Sequence, residues 1–270
     1  MTAPNQPNQW LTESPFLVDL GVRWHDGKIV MDVAEPHTAS GALHGGAIAA
    51  LAMVSAQATM RASDPGVDPS TTSLHVTYAR AGRGTVFTAS SSTVRRIREL
   101  GFYQTDLRGQ SGEVIAAASS TLSEDRHGGA VLELMPPLAG DPVEFTKAAE
   151  ATPFLSRRGL HFEGVDRGAI EVTMATAERN LDGKGRIHEG ALLTLIDVAG
   201  SSVPWTYSGA ASGATIALNA QILGELPEGA LVARATLRAH DERVFWCGVD
   251  VFTETDHRLC ALGTLTYRFG

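Results

Sequence analysis

The chain contains two similar stretches, His44-Gly45-Gly46-Ala47 and His188-Glu189-Gly190-Ala191, that lie 144 positions apart. Residues on either side recur in the same order with nearly the same spacing: Pro15-Phe16-Leu17 as Pro153-Phe154-Leu155, Leu74 as Leu218, and Val114-Ile115-Ala116 as Leu259-Cys260-Ala261. The spacing changes only by short insertions, which chance does not readily produce. We therefore interpret the sequence as two copies of one domain.

The repeat divides the chain into three predicted segments. The first repeat covers residues 10–124, a linker covers 125–150, and the second repeat covers 151–270. The linker holds Gly and Pro in close succession, at Gly128-Gly129, Pro136-Pro137 and Gly140-Asp141-Pro142. Because such residues interrupt regular structure, we expect an irregular segment with a short helix near its end.

Each repeat has the same predicted order of elements. An alternating strand comes first, over Lys28–Val33 and Ala169–Met174. A helix follows at about residues 45–61 and 190–203, and both are apolar almost all round, which is typical of buried helices. Four strands come next, at 73–78, 85–95, 102–108 and 114–122, and again at 215–223, 231–239, 244–253 and 258–268. This order predicts an α+β fold with two antiparallel sheets, each wrapped around a central buried helix.

The composition argues against several classes of protein. The 30 acidic and 22 basic residues give a net charge of −8, which is unlike the basic surface of a nucleic-acid-binding protein. The longest apolar stretch, residues 45–56, is too short to span a bilayer. The N-terminus has neither the basic nor the apolar region of a signal peptide. We expect a cytoplasmic protein with no nucleic-acid or membrane partner.

The two cysteines, Cys247 and Cys260, are too few for a disulfide scaffold. They could lie on neighbouring strands, but two buried thiols in a reducing compartment is the favoured interpretation. No cysteines or histidines occur at the spacing of a zinc site, so no metal is expected.

The first repeat opens its small-residue helix with His44-Gly45-Gly46 and continues with Thr72-Ser73-Leu74-His75-Val76-Thr77-Tyr78. The second repeat has Leu195-Ile196-Asp197 and then Thr215-Ile216-Ala217-Leu218-Asn219-Ala220. Together these resemble the hotdog-fold acyl-CoA thioesterases, whose pattern is H-G-G, four residues, L-x-D and a later T-V-D-L-N-V. The most similar subgroup is the phenylacetate-operon type, related to 4-hydroxybenzoyl-CoA thioesterase.

The resemblance covers both repeats and implies a tandem, or double, hotdog. It implies hydrolysis of an aliphatic or aromatic acyl-CoA to free acid and CoA. It implies no cofactor, since CoA is part of the substrate. Double hotdog chains commonly pair further, so a homodimer or larger homo-oligomer is expected.

In the family, the active site lies between two hotdog units. One unit supplies an acid from its helix, and the other supplies the backbone N–H of the first Gly of H-G-G. Helix geometry agrees with this division. Asp197 lies about 12 Å along its helix axis from Glu189 at the N-terminus, so the two cannot serve one carbonyl carbon.

The two repeats depart from the family pattern in complementary ways. The first keeps Gly45 but has Met53 at the acid position, whereas the second keeps Asp197 but has Glu189 at the Gly position. We predict one complete site, formed by Gly45 and Asp197, and one vestigial or structural pocket. Thr215 matches a Ser or Thr that contacts the acid or its water. The predicted site residues are catalytic Asp197, Gly45 and Thr215 and substrate-binding His44, Gly46 and Gln57.

The predicted chemistry follows from these residue types. The unpaired N–H groups and positive dipole end of a helix N-terminus stabilise an oxyanion. Asp197 would either activate water as a general base or attack directly to give an anhydride, and the sequence does not choose between them.

Two other functions fit the same fold. A non-catalytic acyl-CoA-binding module would keep the pocket and need no acid. A hotdog hydratase or dehydratase pairs a His with an acid some fourteen residues on, but here those positions hold Ala58 and Ser202. Both are disfavoured.

Overall fold

The structure is a computed structural model that describes residues 8–35, 37–38, 41–124, 130–131, 135–209 and 212–270. Its helices are α1 (Gln9–Glu13), α2 (Pro15–Leu20), α3 (Gly45–Ser63), α4 (Val143–Glu150), α5 (Pro153–Ser156) and α6 (Glu189–Tyr207), with a short 3₁₀ helix at Glu178–Asn180. The first six strands are β1 (Val22–His25), β2 (Lys28–Asp32), β3 (Ser70–Tyr78), β4 (Val86–Ile97), β5 (Leu100–Arg108) and β6 (Val114–Ser123). The second six are β7 (Leu160–Asp166), β8 (Ala169–Met174), β9 (Gly213–Ile222), β10 (Leu231–His240), β11 (Val244–Thr253) and β12 (Leu259–Phe269).

The strands form one antiparallel sheet rather than two. Their order is β1-β2-β4-β5-β6-β3-β9-β12-β11-β10-β8-β7, so each repeat supplies six strands in mirrored order. β3 and β9 join the halves, with Leu74 opposite Ala220 and Val76 opposite Leu218. The predicted α+β tandem hotdog is thus confirmed, with the correction that pairing of these two edge strands merges its sheets. An unpaired strand edge has free N–H and C=O groups, and this junction satisfies them.

The central helices α3 and α6 are buried along most of their length, as predicted. They cross closely near their N-termini because small residues lie at the contact. A Cβ on Gly46 would come within 2.6 Å of the Thr194 α-carbon, and one on Gly190 within 2.9 Å of the Ala50 β-carbon. Each glycine is the third residue of its H-x-G stretch, so the repeated motif also sets the helix crossing.

Three local predictions need adjustment. Strands β1 and β7 were not predicted, because each is a short, largely polar arm of a hairpin that takes its register from the strand after it. Helix α6 passes through Pro204 to Tyr207 instead of ending at Val203. Packing of this helix against the sheet outweighs the roughly 3 kcal/mol that an interior Pro costs. The linker forms the expected short helix at Val143–Glu150, whereas Gly128-Gly129 lies outside the described residues.

Both cysteines are buried free thiols, as predicted. Burial raises the pKa of Cys247 to about 12 and also raises that of Cys260. Within the described ranges, no helix is both long and apolar enough to cross a membrane. No group of three described His, Cys, Asp or Glu residues is placed to hold a metal ion.

Candidate active site between the repeats

The N-terminus of α3 is capped by a histidine side chain. Nδ1 of His44 accepts the backbone N–H of Gly46 at 3.0 Å, so one of the unpaired donors of the first turn is satisfied. The preceding N–H, that of Gly45, has no acceptor among the described residues. It remains available to an incoming oxygen at the positive end of a long buried helix.

Asp197 lies in the middle of α6, 3% exposed and surrounded by apolar residues. Its Oδ1 accepts a hydrogen bond from the Thr215 hydroxyl at 2.9 Å. Its Oδ2 lies 3.3 Å from Nδ1 of His44. A Cβ added to Gly45 would come within 2.6 Å of Oδ2. The structure therefore brings the carboxylate of the second repeat to the helix N-terminus of the first.

His44 is a neutral ring in this arrangement. Burial lowers its pKa, the Asp197 charge raises it, and the Arg158 charge lowers it further, with a net lowering. Because Nδ1 accepts from Gly46, the ring proton lies on Nε2. His44 therefore caps the helix that it precedes. It also lies beside Asp197, and its predicted contact with substrate stays a prediction.

Two tyrosines complete the surroundings of Asp197 and were not predicted. The Tyr78 hydroxyl donates to the Gly45 carbonyl oxygen at 3.0 Å, and burial together with the Asp197 charge raises its pKa well above the usual value. Tyr267 lies directly opposite Thr215 in the pairing of β9 with β12. Burial and the Asp197 charge raise its pKa to about 12. Both hydroxyls therefore stay protonated donors.

The second half-site is built differently. A Glu189 oxygen accepts from the Gln57 amide at 2.8 Å, and both Glu189 oxygens accept from the Thr71 backbone N–H at 3.2 Å. Thr71 is the counterpart of Thr215, 144 positions earlier. Met53, at the position equivalent to Asp197, is fully buried in the core. A carboxylate is thus present here too, but it comes from the helix N-terminus.

The structure places two of the predicted substrate-binding residues in structural contacts. Gln57 bonds to Glu189 and so belongs to the second half-site. The reason is that it lies one turn beyond Met53 on α3, facing the N-terminus of α6 rather than that of its own helix. Gly46 donates its N–H to the His44 cap and lies against Thr194, so it contributes to the helix packing, and its role toward substrate stays a prediction.

A cavity of about 610 Å³ opens beside the second half-site and not beside Asp197. The residues that line it include Trp10, Trp24, Gln57, Arg61, His188 and Glu189. Its volume lies within the range of small-molecule pockets.

Solved structures with the same architecture confirm the double hotdog. The tesB protein of Mycobacterium avium subspecies paratuberculosis matches with a TM-score of 0.70 and 14% identity, over 94% of this chain and 98% of that one. The acyl-CoA thioesterase II TesB2 of Mycobacterium marinum matches with a TM-score of 0.66 and 15% identity, over 93% and 95%. The dehydratase domain of RzxB from Pseudomonas fluorescens matches with a TM-score of 0.62 and 14% identity, over 89% and 94%. Such a likeness establishes the fold alone.

The sequence of the first repeat is similar to a known family. Residues 33–123 match the family model of the acyl-CoA thioesterase N-terminal domain. A search of curated proteins by sequence found no match. This match covers most of the first repeat and agrees with the resemblance identified from its motifs. The narrower likeness to the phenylacetate-operon subgroup stays a prediction.

Proposed function

We propose that the protein hydrolyses an acyl-CoA thioester to free acid and CoA, at one active site per chain. The observation that carries this is the contact between Gly45 on α3 and the Asp197 carboxylate on α6. An oxyanion donor and a carboxylate serve one carbonyl carbon only when they are neighbours. Each repeat supplies one of the pair.

The thioester oxygen would accept the Gly45 N–H at the end of α3. One such donor is typically worth about 3 kcal/mol of transition-state stabilisation. In the general-base route, Asp197 takes a proton from water as the water oxygen bonds to the carbonyl carbon. The tetrahedral intermediate then collapses, the C–S bond breaks, and the sulfur takes the proton. Thr215 holds the carboxylate through its hydroxyl, and Tyr267 lies opposite Thr215 on β12.

In the nucleophilic route, an Asp197 oxygen bonds to the carbonyl carbon, the C–S bond breaks and CoA leaves as the thiolate. Water then hydrolyses the anhydride to the free acid and the Asp197 carboxylate, and the proton that this water releases balances the thiolate. A single turnover in ¹⁸O-labelled water distinguishes the routes. Label in the Asp197 side chain indicates an anhydride attacked at the aspartyl carbon. Label only in the released acid, under conditions that trap no acyl-enzyme, indicates the general base.

The two alternative functions have less support. A non-catalytic binding module would not need a buried carboxylate oriented by Thr215 beside an open N–H. A dehydratase of this fold would need an acid at Ala58 or Ser202, and neither residue can transfer a proton as an acid does. Of the three, hydrolysis is the one that uses every group at the Asp197 site.

The experiment is release of free CoA from a panel of aliphatic and aromatic CoA esters, followed with a thiol reagent. The Asp197→Asn variant should lose at least about a hundredfold in kcat, since removing a general base typically costs that much. Glu189→Gln in the second half-site is the matched control and should retain activity. Met53→Ala should be similarly mild. If Met53→Ala loses as much as Asp197→Asn, the crossed site is wrong.

We also propose that the protein works in the cytoplasm and pairs into a homodimer or larger homo-oligomer. The support is the resemblance to double hotdog chains, which commonly pair. Size-exclusion chromatography with light scattering would show a mass of at least twice 28.6 kDa. A monomer at micromolar concentration would contradict it.

A further inference from the structure

A fully buried arginine, Arg158, lies where the two repeats meet. Its guanidinium packs on the rings of Phe16 and Phe154, with Cζ 4.9 Å and 4.6 Å from the two centroids. One N–H donates to the Arg179 carbonyl oxygen at 2.6 Å, and another pairs with the Asp19 carboxylate. Burial lowers the pKa of Arg158 to about 10, so the group is still positively charged at neutral pH.

The first repeat has an apolar residue at the position equivalent to Arg158. Phe16 and Phe154 are 138 positions apart, and the same spacing relates Leu20 to Arg158. Leu20 is a core residue, 2% exposed. Apolar residues commonly replace a buried ion pair without loss of stability. Packing alone therefore does not account for a charge at this position.

The ion pair of Arg158 with Asp19 does not leave a neutral cluster. Arg157 and Arg179 also approach the Asp19 carboxylate, each at 3.6 Å. Three guanidinium groups thus surround one carboxylate, and these four residues together carry a net positive charge. The protein as a whole has a net charge of −8, so this positive charge is a local feature.

Phe154 brings this charge close to His44. The His44 and Phe154 ring centroids are 5.3 Å apart, so Cζ of Arg158 and the His44 ring are at most about 10 Å apart. The fully buried Phe154 ring lies between them, and a charge screened by protein acts over such a distance. Burial is the largest cause that lowers the pKa of His44, and the Arg158 charge adds to it against the opposing Asp197 charge.

Among the described residues, the other ionisable groups around His44 are Asp197, His37 and Tyr78. Oδ2 of Asp197 lies 3.3 Å from Nδ1 of His44 and favours a charged ring. Burial lowers the pKa of His37 to about 3 and raises that of Tyr78 well above its usual value, so both are neutral at pH 7. Of these four groups, Arg158 is the one whose charge opposes that of Asp197.

The protonation state of His44 decides two contacts at the candidate active site. A neutral ring accepts the Gly46 N–H at Nδ1, whereas an imidazolium carries a proton on both nitrogens and cannot accept. Its Nδ1–H would instead donate to the neighbouring Asp197 oxygen. One proton on His44 would therefore break the α3 cap and occupy the carboxylate that acts in hydrolysis.

We propose that Arg158 is a positioning residue for the Asp197 site, and that its buried charge keeps His44 a neutral helix cap and leaves the Asp197 carboxylate free to react. This rests on the proposed function. Arg158 acts through His44 and Phe154 rather than by contact with substrate. At an effective dielectric constant of about 20, a charge about 10 Å away changes a protonation equilibrium by about tenfold, or about one pH unit.

The test follows the His44 ring nitrogens by NMR in protein labelled with ¹⁵N-histidine, between about pH 4 and pH 8. The signals are assigned by their loss in His44→Gln. Arg158→Met removes the charge and keeps a long unbranched side chain, and Asp19 still has Arg157 and Arg179 beside it. The His44 midpoint in this variant should lie about one pH unit above that of wild type. Arg158→Lys keeps the charge and should titrate as wild type does.

Release of CoA gives a second readout that a merely structural role would not move. Relative to wild type, kcat/KM of Arg158→Met should fall steadily toward acid pH, by about tenfold near pH 5, and Arg158→Lys should follow wild type. A His44 ring that titrates as in wild type, or that stays neutral down to pH 4 in Arg158→Met, would overturn the proposal. So would a loss of activity that is equal at every pH.

Two further variants control for folding. Asp19→Asn/Arg158→Met removes both members of the ion pair, which is commonly tolerated, and replaces the single variant if that does not fold. Arg234→Met removes another buried arginine, 9% exposed and paired with Glu171 at 3.1 Å, and should leave the His44 titration unchanged. If the wild type releases CoA from no ester, the proposed function fails, whereas the ring titration still decides whether Arg158 sets the charge of His44.

Discussion

Oδ2 of Asp197 packs against the α-carbon of Gly45, so closely that a Cβ at Gly45 would lie 2.6 Å from it. These two residues come from different repeats and from different helices. Their contact exists only because α3 and α6 cross near their N-termini, where Gly46 lies against Thr194. The packing of the two repeats and the assembly of the candidate active site are therefore one structural feature.

The first prediction concerns Gly45. Substitution by Ala would place a methyl group against the Asp197 carboxylate, which can rotate away because it is the end of a side chain. We expect at least about a tenfold loss of kcat, since a small misplacement of a catalytic group is costly. The melting temperature should change little. Steady-state kinetics and thermal unfolding measure the two effects.

Gly46→Ala is the matched control and should behave in the opposite way. Its new methyl group meets the Thr194 backbone, which cannot move without separating the helices. Overpacking of this kind costs about 1–3 kcal/mol. If both variants lose stability equally and neither loses activity selectively, Gly45 has no special role at the site.

The second prediction concerns the hydroxyl of Thr215. Thr215→Val removes the hydrogen bond to Asp197 and keeps the side-chain shape. A hydrogen bond to a charged group contributes about 1.5–3 kcal/mol, so kcat should fall by about tenfold or more. Thr71→Val at the equivalent position is the control, because Thr71 holds Glu189 through its backbone N–H. Equal effects of the two variants on kcat would refute the assignment of Thr215.

The candidate site was predictable where it depends on helix geometry. The distance between Asp197 and its own helix N-terminus is set by the rise per residue, and it agreed with the division between the two repeats that the family resemblance implied. The altered residues Met53 and Glu189 then indicated which crossing was complete. These arguments need no knowledge of how the strands pair.

The parts that were missed depend on strand register and side-chain direction. Tyr267 is near Asp197 because β12 pairs with β9 in one particular register, which a strand pattern does not specify. Tyr78 is the last residue of the stretch from Thr72 that resembles the thioesterase family. The sequence did not show to which face of the sheet its hydroxyl points. Gln57 was correctly placed on α3. Which half-site its side chain faces depends on how α3 and α6 cross, and the sequence does not specify that crossing.

The third prediction concerns the carboxylate of the second half-site. Glu189→Ala would leave the Gln57 amide and the Thr71 N–H without this acceptor in a buried place. Each orphaned donor costs about 1–3 kcal/mol, so the free energy of unfolding should fall by a few kcal/mol. The kcat should stay within about threefold of wild type, since Glu189 does not touch the Asp197 site. Urea unfolding and CoA release measure the two quantities, and a large loss of kcat with unchanged stability would contradict a structural role.

The fourth prediction concerns the pH dependence of stability and His37. This ring is 4% exposed and stacks on Phe154 with the centroids 4.5 Å apart. Burial, with smaller contributions from His44, Arg157 and Arg158, lowers its pKa from 6.5 to about 3. Between these values the unfolded chain binds a proton that the folded chain does not. His37 therefore opposes folding increasingly as the pH falls below about 6.5, by up to about 1.4 kcal/mol per pH unit.

The variant that tests this is His37→Phe, which keeps a stacking ring and removes the titration. Its free energy of unfolding, measured in urea, should differ from that of wild type by a constant amount above pH 7 and should gain on wild type steadily toward pH 5. Parallel pH profiles for the two proteins would show that His37 is not the neutral buried group described here.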